Sequence, residues 1–188
     1  MAGKLKLVWI DLETTGLDPE KDHILEIAGS VADFEMPFRP LWDFHGVFPA
    51  TPEALSRMDD HVWRMHTGNG LLEECSKSVD SVRSMSAGLA AYFPPAHPDE
   101  RPILAGSNIG FDKAFLKHHM PEFHSRLSHR LYDVSSIKLF ARSFGMPRIP
   151  QTHTHRAKAD VAESMQHAQD VANYFLHARL ELNDAPGT

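Results

Sequence analysis

Val8, Trp9 and Ile10 form an unbroken apolar run, preceded by a short alternation that sets Lys4 and Lys6 against Leu5 and Leu7. A strand that passes from alternating to continuously apolar is buried on both faces, which requires a central position in a sheet covered on both sides. This strand, residues 5–10, stops abruptly at Asp11, Leu12 and Glu13. Any fold of the chain must therefore place a pair of acids at the end of a buried strand. Residues 24–34 and 41–48 read as two further strands. The turn-rich Gly16, Asp18 and Pro19 separate the first two, so an antiparallel meander is expected.

The hydrophobic period then lengthens to that of helices. Ser78 is placed to cap a helix carrying Val79, Val82, Met85 or Ser86, Leu89, Tyr92 and Phe93, with Pro94 and Pro95 ending it. Residues 103–107 read as a short strand, 111–120 as a helix closed by Pro121, and 131–134 as another strand. Ser135 or Ser136 is placed to cap a helix to residue 144. The last helix, residues 157–182, has Val161, Met165, Ala168, Ala172, Phe175 and Leu182 as its apolar stripe. Strands first and strand-helix alternation afterwards indicate an α/β protein, a mixed sheet flanked by helices. With no repeat, low-complexity tract or linker to divide it, residues 1–188 read as one domain.

Composition narrows the functional classes. With 42% hydrophobic and 23% charged residues the chain is neither disordered nor collagen-like, and no stretch approaches the roughly 18 apolar residues of a membrane span. Cys75 is the only cysteine, which excludes an intrachain disulfide and a thiolate zinc cluster and fits a reducing compartment. With no secretory h-region at the N-terminus, a cytoplasmic location is expected. The net charge of -6 would repel a polyanion, so a nucleic-acid substrate needs a local reversal of sign. Among the 13 histidines, His118, His119, His124, His167 and His177 fall on helix surfaces and read as solvated.

Asp11 and Glu13 lie two apart on an extended chain, so their side chains share a face with about 6.5–7 Å between Cα atoms. Asp112 follows the strand 103–107, and Asp160 lies in the first turn of the last helix. Taken singly, each has a structural reading as a polar strand end or a helix-dipole acid. Taken together, four such acids would repel, because two like charges about 4 Å apart cost on the order of 4 kcal/mol at an effective dielectric of about 20. Divalent cations relieve this, and carboxylate oxygens suit Mg²⁺ or Mn²⁺ in the pair that promotes in-line attack on a phosphodiester. The attacking water also needs a proton acceptor. His155, five residues before Asp160, suits that role near neutral pH, with His153 as a rival two residues earlier. A zinc site from His118, His119, His153 and His155 lacks a recognisable ligand spacing.

The ordered segments Trp9-Ile10-Asp11-Leu12-Glu13-Thr14-Thr15-Gly16-Leu17-Asp18, Asn108-Ile109-Gly110-Phe111-Asp112 and His155 to Asp160 resemble the DEDDh 3′-to-5′ exonucleases. That resemblance implies a ribonuclease H-like fold and two divalent metals held by Asp11, Glu13, Asp112 and Asp160, with His155 as general base. Within the superfamily the chain looks most like the oligoribonucleases, which cut very short RNA to mononucleotides. The further likeness lies in Met58-Asp59-Asp60, His66-Thr67, Gly70-Leu71, Met120-Pro121-Glu122, Asp133-Val134-Ser135-Ser136, Lys138 and Glu163-Ser164. It implies that Leu17 wedges against the bases and that His66, Arg130 and Ser135 cap the 5′ phosphate, with Asn108 also at the substrate. It implies short single-stranded RNA, or DNA, as partner, and a homodimer. A cap that closes on a terminal phosphate measures length, because a longer chain would clash there.

The chain departs from the oligoribonuclease pattern at His61, where a tryptophan is usual, at Ser107-Asn108 in place of Asn-Ser, and at His129 in place of tyrosine. Asn-x-x-Phe-Asp around Asp112 is closer to the proofreading branch. These departures bear on length selection and stacking, for which Trp63, Phe111 and Tyr132 are the available rings, and leave the metal chemistry intact. Two alternatives stay open: a proofreading-like or ribonuclease T-like exonuclease on single-stranded DNA or longer RNA, and a nucleic-acid-binding domain without catalysis.

Overall fold

The computed structural model describes residues 5–152 and 154–184, with side chains to residue 177, so Lys4, His153 and the side chain of Leu182 lie outside the described residues. Strands β1 (Lys6–Thr14), β2 (Ile24–Asp33), β3 (Pro40–Val47), β4 (Ile103–Gly106) and β5 (Leu131–Asp133) form one sheet in the order β3-β2-β1-β4-β5. β1, β2 and β3 make the expected antiparallel meander, while β4 and β5 run parallel to β1. The helices are α1 (Pro52–Arg57), α2 (Asp60–Gly68), α3 (Leu71–Lys77), α4 (Val82–Tyr92), α5 (Gly110–His119), α6 (Pro121–His124), α7 (Val134–Ser143) and α8 (Ala157–Asp184).

β1 is central and covered on both sides. Val8, Ile10 and Leu12 pack with Leu89, Phe93, Phe115, Leu116, Met120 and Phe123 from the α4, α5 and α6 side. Leu7 and Trp9 pack on the opposite face with Ala157, Val161 and Ala168 of α8 and Val134 of α7. The mixed sheet flanked by helices is thus the observed architecture. Among the described residues no helix is long and apolar enough to cross a membrane.

Several details differ from the sequence expectation. β1 does not stop at Ile10 but continues to Thr14, because β2 pairs with it along its whole length, from Lys6↔Asp33 to Thr14↔Ile24. Residues 52–77, which carry no long apolar period, fold as three short helices; the first two are marked locally by Thr51 before Pro52 and by Asp59, both accepting backbone N–H bonds as caps, and the third follows the left-handed Gly70. The cap of α4 is Ser81 rather than Ser78; Ser78 instead donates to the Val47 carbonyl, and Val79 is left 94% exposed. Asp133, not Ser135 or Ser136, caps α7, its carboxylate accepting the Ser135 N–H. His167 is buried rather than solvated, with Nδ1 facing Lys138 Nζ at 3.3 Å. His119 is half-buried, stacked on Phe115 and close to His23, because the end of α5 turns inward there.

The close packing of β1, β2 and β3 leaves no room at Gly29. A Cβ there would fall 2.6 Å from the Trp9 carbonyl oxygen and 2.1 Å from Phe44 Cζ, whereas one at Gly88 in α4 would meet nothing within 4 Å. Gly29→Ala is therefore expected to destabilise by about 1–3 kcal/mol through overpacking. Gly88→Ala is expected to stabilise by about 0.5–1 kcal/mol through helix propensity. Urea-unfolding midpoints of the two variants check this; movement in the same direction would contradict the packing account.

Candidate active site

β4 leaves the sheet after Gly106, so β1 runs on past its parallel neighbour, whose last pairing is Trp9↔Ala105. Beyond that point the Leu12 N–H is bonded by a side chain: Asp112, in the first turn of α5, accepts it through Oδ1 at 2.9 Å. Asp112 thereby completes a strand edge that would otherwise be open. Asp11 and Glu13 share the face of β1 that carries Leu7 and Trp9, the face covered by α8, and Asp160 sits in the first turn of that helix. Ligand atoms of Glu13, His155 and Asp160 all lie within 4.8 Å of one another. A cleft of about 150 Å³ is lined by Asp11, Ser107, Gln151, His155, Asp160, Glu163 and Ser164.

Burial raises the carboxyls of Asp11, Glu13, Asp112 and Asp160. The Asp11 carboxyl is pushed well above its ordinary range by burial first, then by the negative charges of Asp112, Glu13, Asp160 and Glu26. Burial, with Asp160 and Glu26 adding, takes Glu13 up to about 8 against an opposing pull from Arg156. Asp112 is raised by burial even though backbone N–H bonds oppose the shift, and Asp160 by burial against a hydrogen bond from Thr154 Oγ1 at 3.1 Å. Glu26 is the contrast. Burial pulls it upward too, yet bonds from Arg156, His45 and the Ala157 N–H outweigh that and hold it below the usual range. The crowded acids thus lack the cation that Glu26 has. Hard oxygen donors beside an imidazole suit Mg²⁺ or Mn²⁺, so this donor set fits such ions.

The remaining expected residues occupy three places. Leu17, 82% exposed, lines a second cleft of about 170 Å³ with Glu13, Val62, Met65, His66 and Phe111. His66 is fully buried: Nε2 lies 3.1 Å from the Thr14 carbonyl and 3.8 Å from Glu13 Oε2, Nδ1 has no partner among the described residues, and burial holds the ring below its ordinary pKa. Asn108 is left-handed (φ 54°), its N–H shared between Asp133 Oδ1 and Ser135 Oγ at 3.0 Å each. Ser135 lines a third cleft, of about 250 Å³, with Lys138, Arg142, Arg148 and Gln151. Arg130 Nη1 donates to Asp99 Oδ1 at 3.1 Å. His66 and Ser135 therefore line different clefts, and Arg130 is paired with Asp99. Of the candidate stacking rings, Phe111 reaches the Leu17 cleft and Trp63 is exposed on α2. Tyr132 packs edge-on against Trp9 and Phe38 in the core under α8.

Sequence reasoning missed Gln151, which lines both the first and third clefts, and the Ser107–Ser164 hydroxyl contact at 3.0 Å. It also missed Glu26 and Arg156. Arg156 had a signal in its place between His155 and Asp160; Glu26 lies in a buried strand with no signal except its charge.

Comparison with known proteins shows the family. The RNase T family model, described as an exonuclease, matches residues 8–167. The chain is 37% identical over 175 residues to an oligoribonuclease of Corynebacterium diphtheriae, covering 86% of this chain and 79% of that one. It is 38% identical over 177 residues to an oligoribonuclease of Tropheryma whipplei, covering 90% and 93%. Among solved structures, Escherichia coli exonuclease I in complex with a dT13 oligonucleotide superposes with a TM-score of 0.67 at 13% identity. That match covers 95% of this chain and 43% of the larger one, so it concerns the fold alone.

The raised carboxyls make a signed prediction for the metal-free protein. The folded chain keeps protons on these groups at pH values where the unfolded chain has released them. The stability they contribute is complete below the ordinary carboxylate range and is lost as pH rises through about 8, the Glu13 value. In EDTA, the thermal midpoint is expected to fall between about pH 6 and about pH 9, and Glu13→Gln to flatten that slope. An equal slope in the variant would refute the crowding account.

Proposed function

The chain belongs to the RNase T exonuclease family and is a 3′-to-5′ exoribonuclease, and we propose that its substrates are RNA oligonucleotides of a few residues, dinucleotides included. The observation that carries the reading is the gathering of Glu13, Asp160 and His155 beside Asp11 and Asp112 at the end of β1. The products are nucleoside 5′-monophosphates and a chain shortened by one residue. Residues 1–188 act as one exonuclease domain, and the single, buried Cys75 supports a cytoplasmic setting.

In this reading Asp11, Glu13, Asp112 and Asp160 hold two divalent ions, Mg²⁺ or Mn²⁺. Bound there, such ions neutralise the carboxylates and lend Lewis acidity to the scissile phosphate. His155 takes the proton of the attacking water as the new O–P bond forms, and the P–O3′ bond of the preceding nucleotide breaks. Leu17 and Phe111 flank the 3′-terminal base in the cleft beside Glu13. His66, held below its ordinary pKa by burial, supports the wall of that cleft through the Thr14 carbonyl. Asn108 and Ser135 lie on the 5′ side with Lys138, Arg142 and Arg148, which supply the positive charge a phosphate needs. Arg130 joins them only by leaving Asp99, an exposed pair that costs little to open.

The homodimer reading is supported by an exposed apolar cluster at α7 and α8. Phe140 and Phe144 are more than half exposed and pack against each other and Phe175 with tilted and edge-on rings. Phe140→Asp with Phe144→Asp is expected to yield a monomer by light scattering; a dimer that persists would exclude this face.

Substrate length is tested by steady-state hydrolysis with Mn²⁺ of a labelled RNA dinucleotide, a roughly 20-nucleotide RNA and their DNA counterparts. A kcat/KM at least about tenfold higher on the RNA dinucleotide is expected, a discrimination of about 1.4 kcal/mol. Indifference to length would replace the short-substrate reading with that of a general single-strand exonuclease.

A further inference from the structure

Residues 155–157 are tied to three neighbours, Asn69, Glu26 and Glu74. His155 adopts left-handed backbone, φ 50°, a conformation that a non-glycine residue keeps only where its surroundings hold it. Its carbonyl accepts a hydrogen bond from Asn69 Nδ2 at 2.5 Å, in the turn between α2 and α3. Arg156 then lies between two carboxylates. Nε and Nη2 donate to Glu26 Oε2 and Oε1 at 3.1 Å each, while Nη1 and Nη2 donate to Glu74 Oε1 and Oε2 at 2.9 and 2.8 Å. The Ala157 N–H, the first of α8, donates to Glu26 Oε2 at 3.1 Å.

Glu26 is well suited to be the anchor. It is 1% exposed, receives His45 Nε2 at 2.7 Å, and stands directly opposite Glu13 in the β1–β2 register. The residue after the imidazole is thus bolted to the immediate neighbour of a site carboxylate. Asp160 is supported by Ala157, Val161 and Ala168, which seat α8 on the sheet, and by the Arg156 backbone, whose carbonyl accepts the Asp160 N–H at 3.1 Å; neither support uses the guanidinium. The guanidinium and Asn69 hold the His155 segment.

We propose that Arg156, clamped between Glu26 and Glu74, is a positioning residue that sets the His155 imidazole against Glu13 and Asp160, with Asn69 holding the His155 carbonyl. The inference rests on the reading of His155 as the base. The planar fork is what the clamp uses, so a lysine, which keeps the charge and loses the bidentate geometry, does not replace it. A residue that orients a catalytic group typically contributes about 10–100-fold to activity.

The test is a mutant cycle on the Mn²⁺-loaded full chain with an RNA dinucleotide under single turnover. Arg156→Lys is expected to lower kcat by about 10–100-fold with KM within about twofold. In a His155→Ala background the same change is expected to cost less than about twofold, because there is no imidazole left to orient. Equal losses in the two backgrounds, or no loss in either, overturn the proposal. Asn69→Ala, which removes the partner of the His155 carbonyl together with the acceptor of the Leu71 N–H, carries the same cycle if Arg156→Lys does not fold. A readout independent of turnover is the His155 Cε1–Hε1 resonance of the metal-free protein, identified by its disappearance in His155→Ala. It is expected to shift or broaden in Arg156→Lys, and an unchanged resonance counts against the clamp. An inactive unsubstituted chain would refute the exonuclease reading instead, and the resonance alone would then decide.

Discussion

Like charges crowded out of water at the end of β1 are the constraint around which this protein is built. Asp11, Glu13, Asp112 and Asp160 are all raised by burial, and the negative charge of neighbouring acids adds to the effect at Asp11 and Glu13. The fold tolerates this because each acid has a fixed support other than a cation. Asp112 receives the Leu12 N–H, Asp160 the Thr154 hydroxyl, and Asp11 and Glu13 are set by a strand paired along its full length with β2. A site held rigid yet electrostatically unsatisfied favours any ligand that brings positive charge. A chain of net charge -6 can therefore act on nucleic acid.

The cation the chain does possess nearby is spent one strand away. Arg156 neutralises Glu26 and Glu74, and Glu26, though buried, is held below its usual range. This division keeps the arginine from collapsing onto Glu13 and filling the site with an internal ion pair. It also ties the α8 N-terminus to β2, since the same carboxylate accepts the first N–H of the helix. The clefts to either side differ in character to match. The one beside Glu13 is lined by Leu17, Val62, Met65 and Phe111, suited to a base, and the one beyond Gln151 by Lys138, Arg142 and Arg148, suited to a phosphate.

How much was legible beforehand follows from how local each signal was. Val8, Trp9 and Ile10 announce a doubly covered strand because two-sided burial leaves a continuous apolar run. The lengthening period after residue 78 announces helices because 3.6-residue spacing is read within one element. The segment 52–77 escaped because its helices are too short to repeat a period, leaving only the caps Thr51 and Asp59. Histidines misled for a related reason. Nothing in the residues flanking His119 or His167 distinguishes a buried ring from a solvated one, since what surrounds them arrives from distant segments.

By itself the sequence determined the identity of the acids and the imidazole, their order along the chain, and the central strand that ends in Asp11 and Glu13. These are properties of residue type and of short-range periodicity. Only the tertiary structure decided that Glu26 stands beside Glu13, that Arg156 bridges β2 and α3, and that His66 and Ser135 open onto different clefts. Such relations depend on strand register and on the docking of α8 across more than a hundred residues, and no local pattern encodes a distance between segments that meet only on folding.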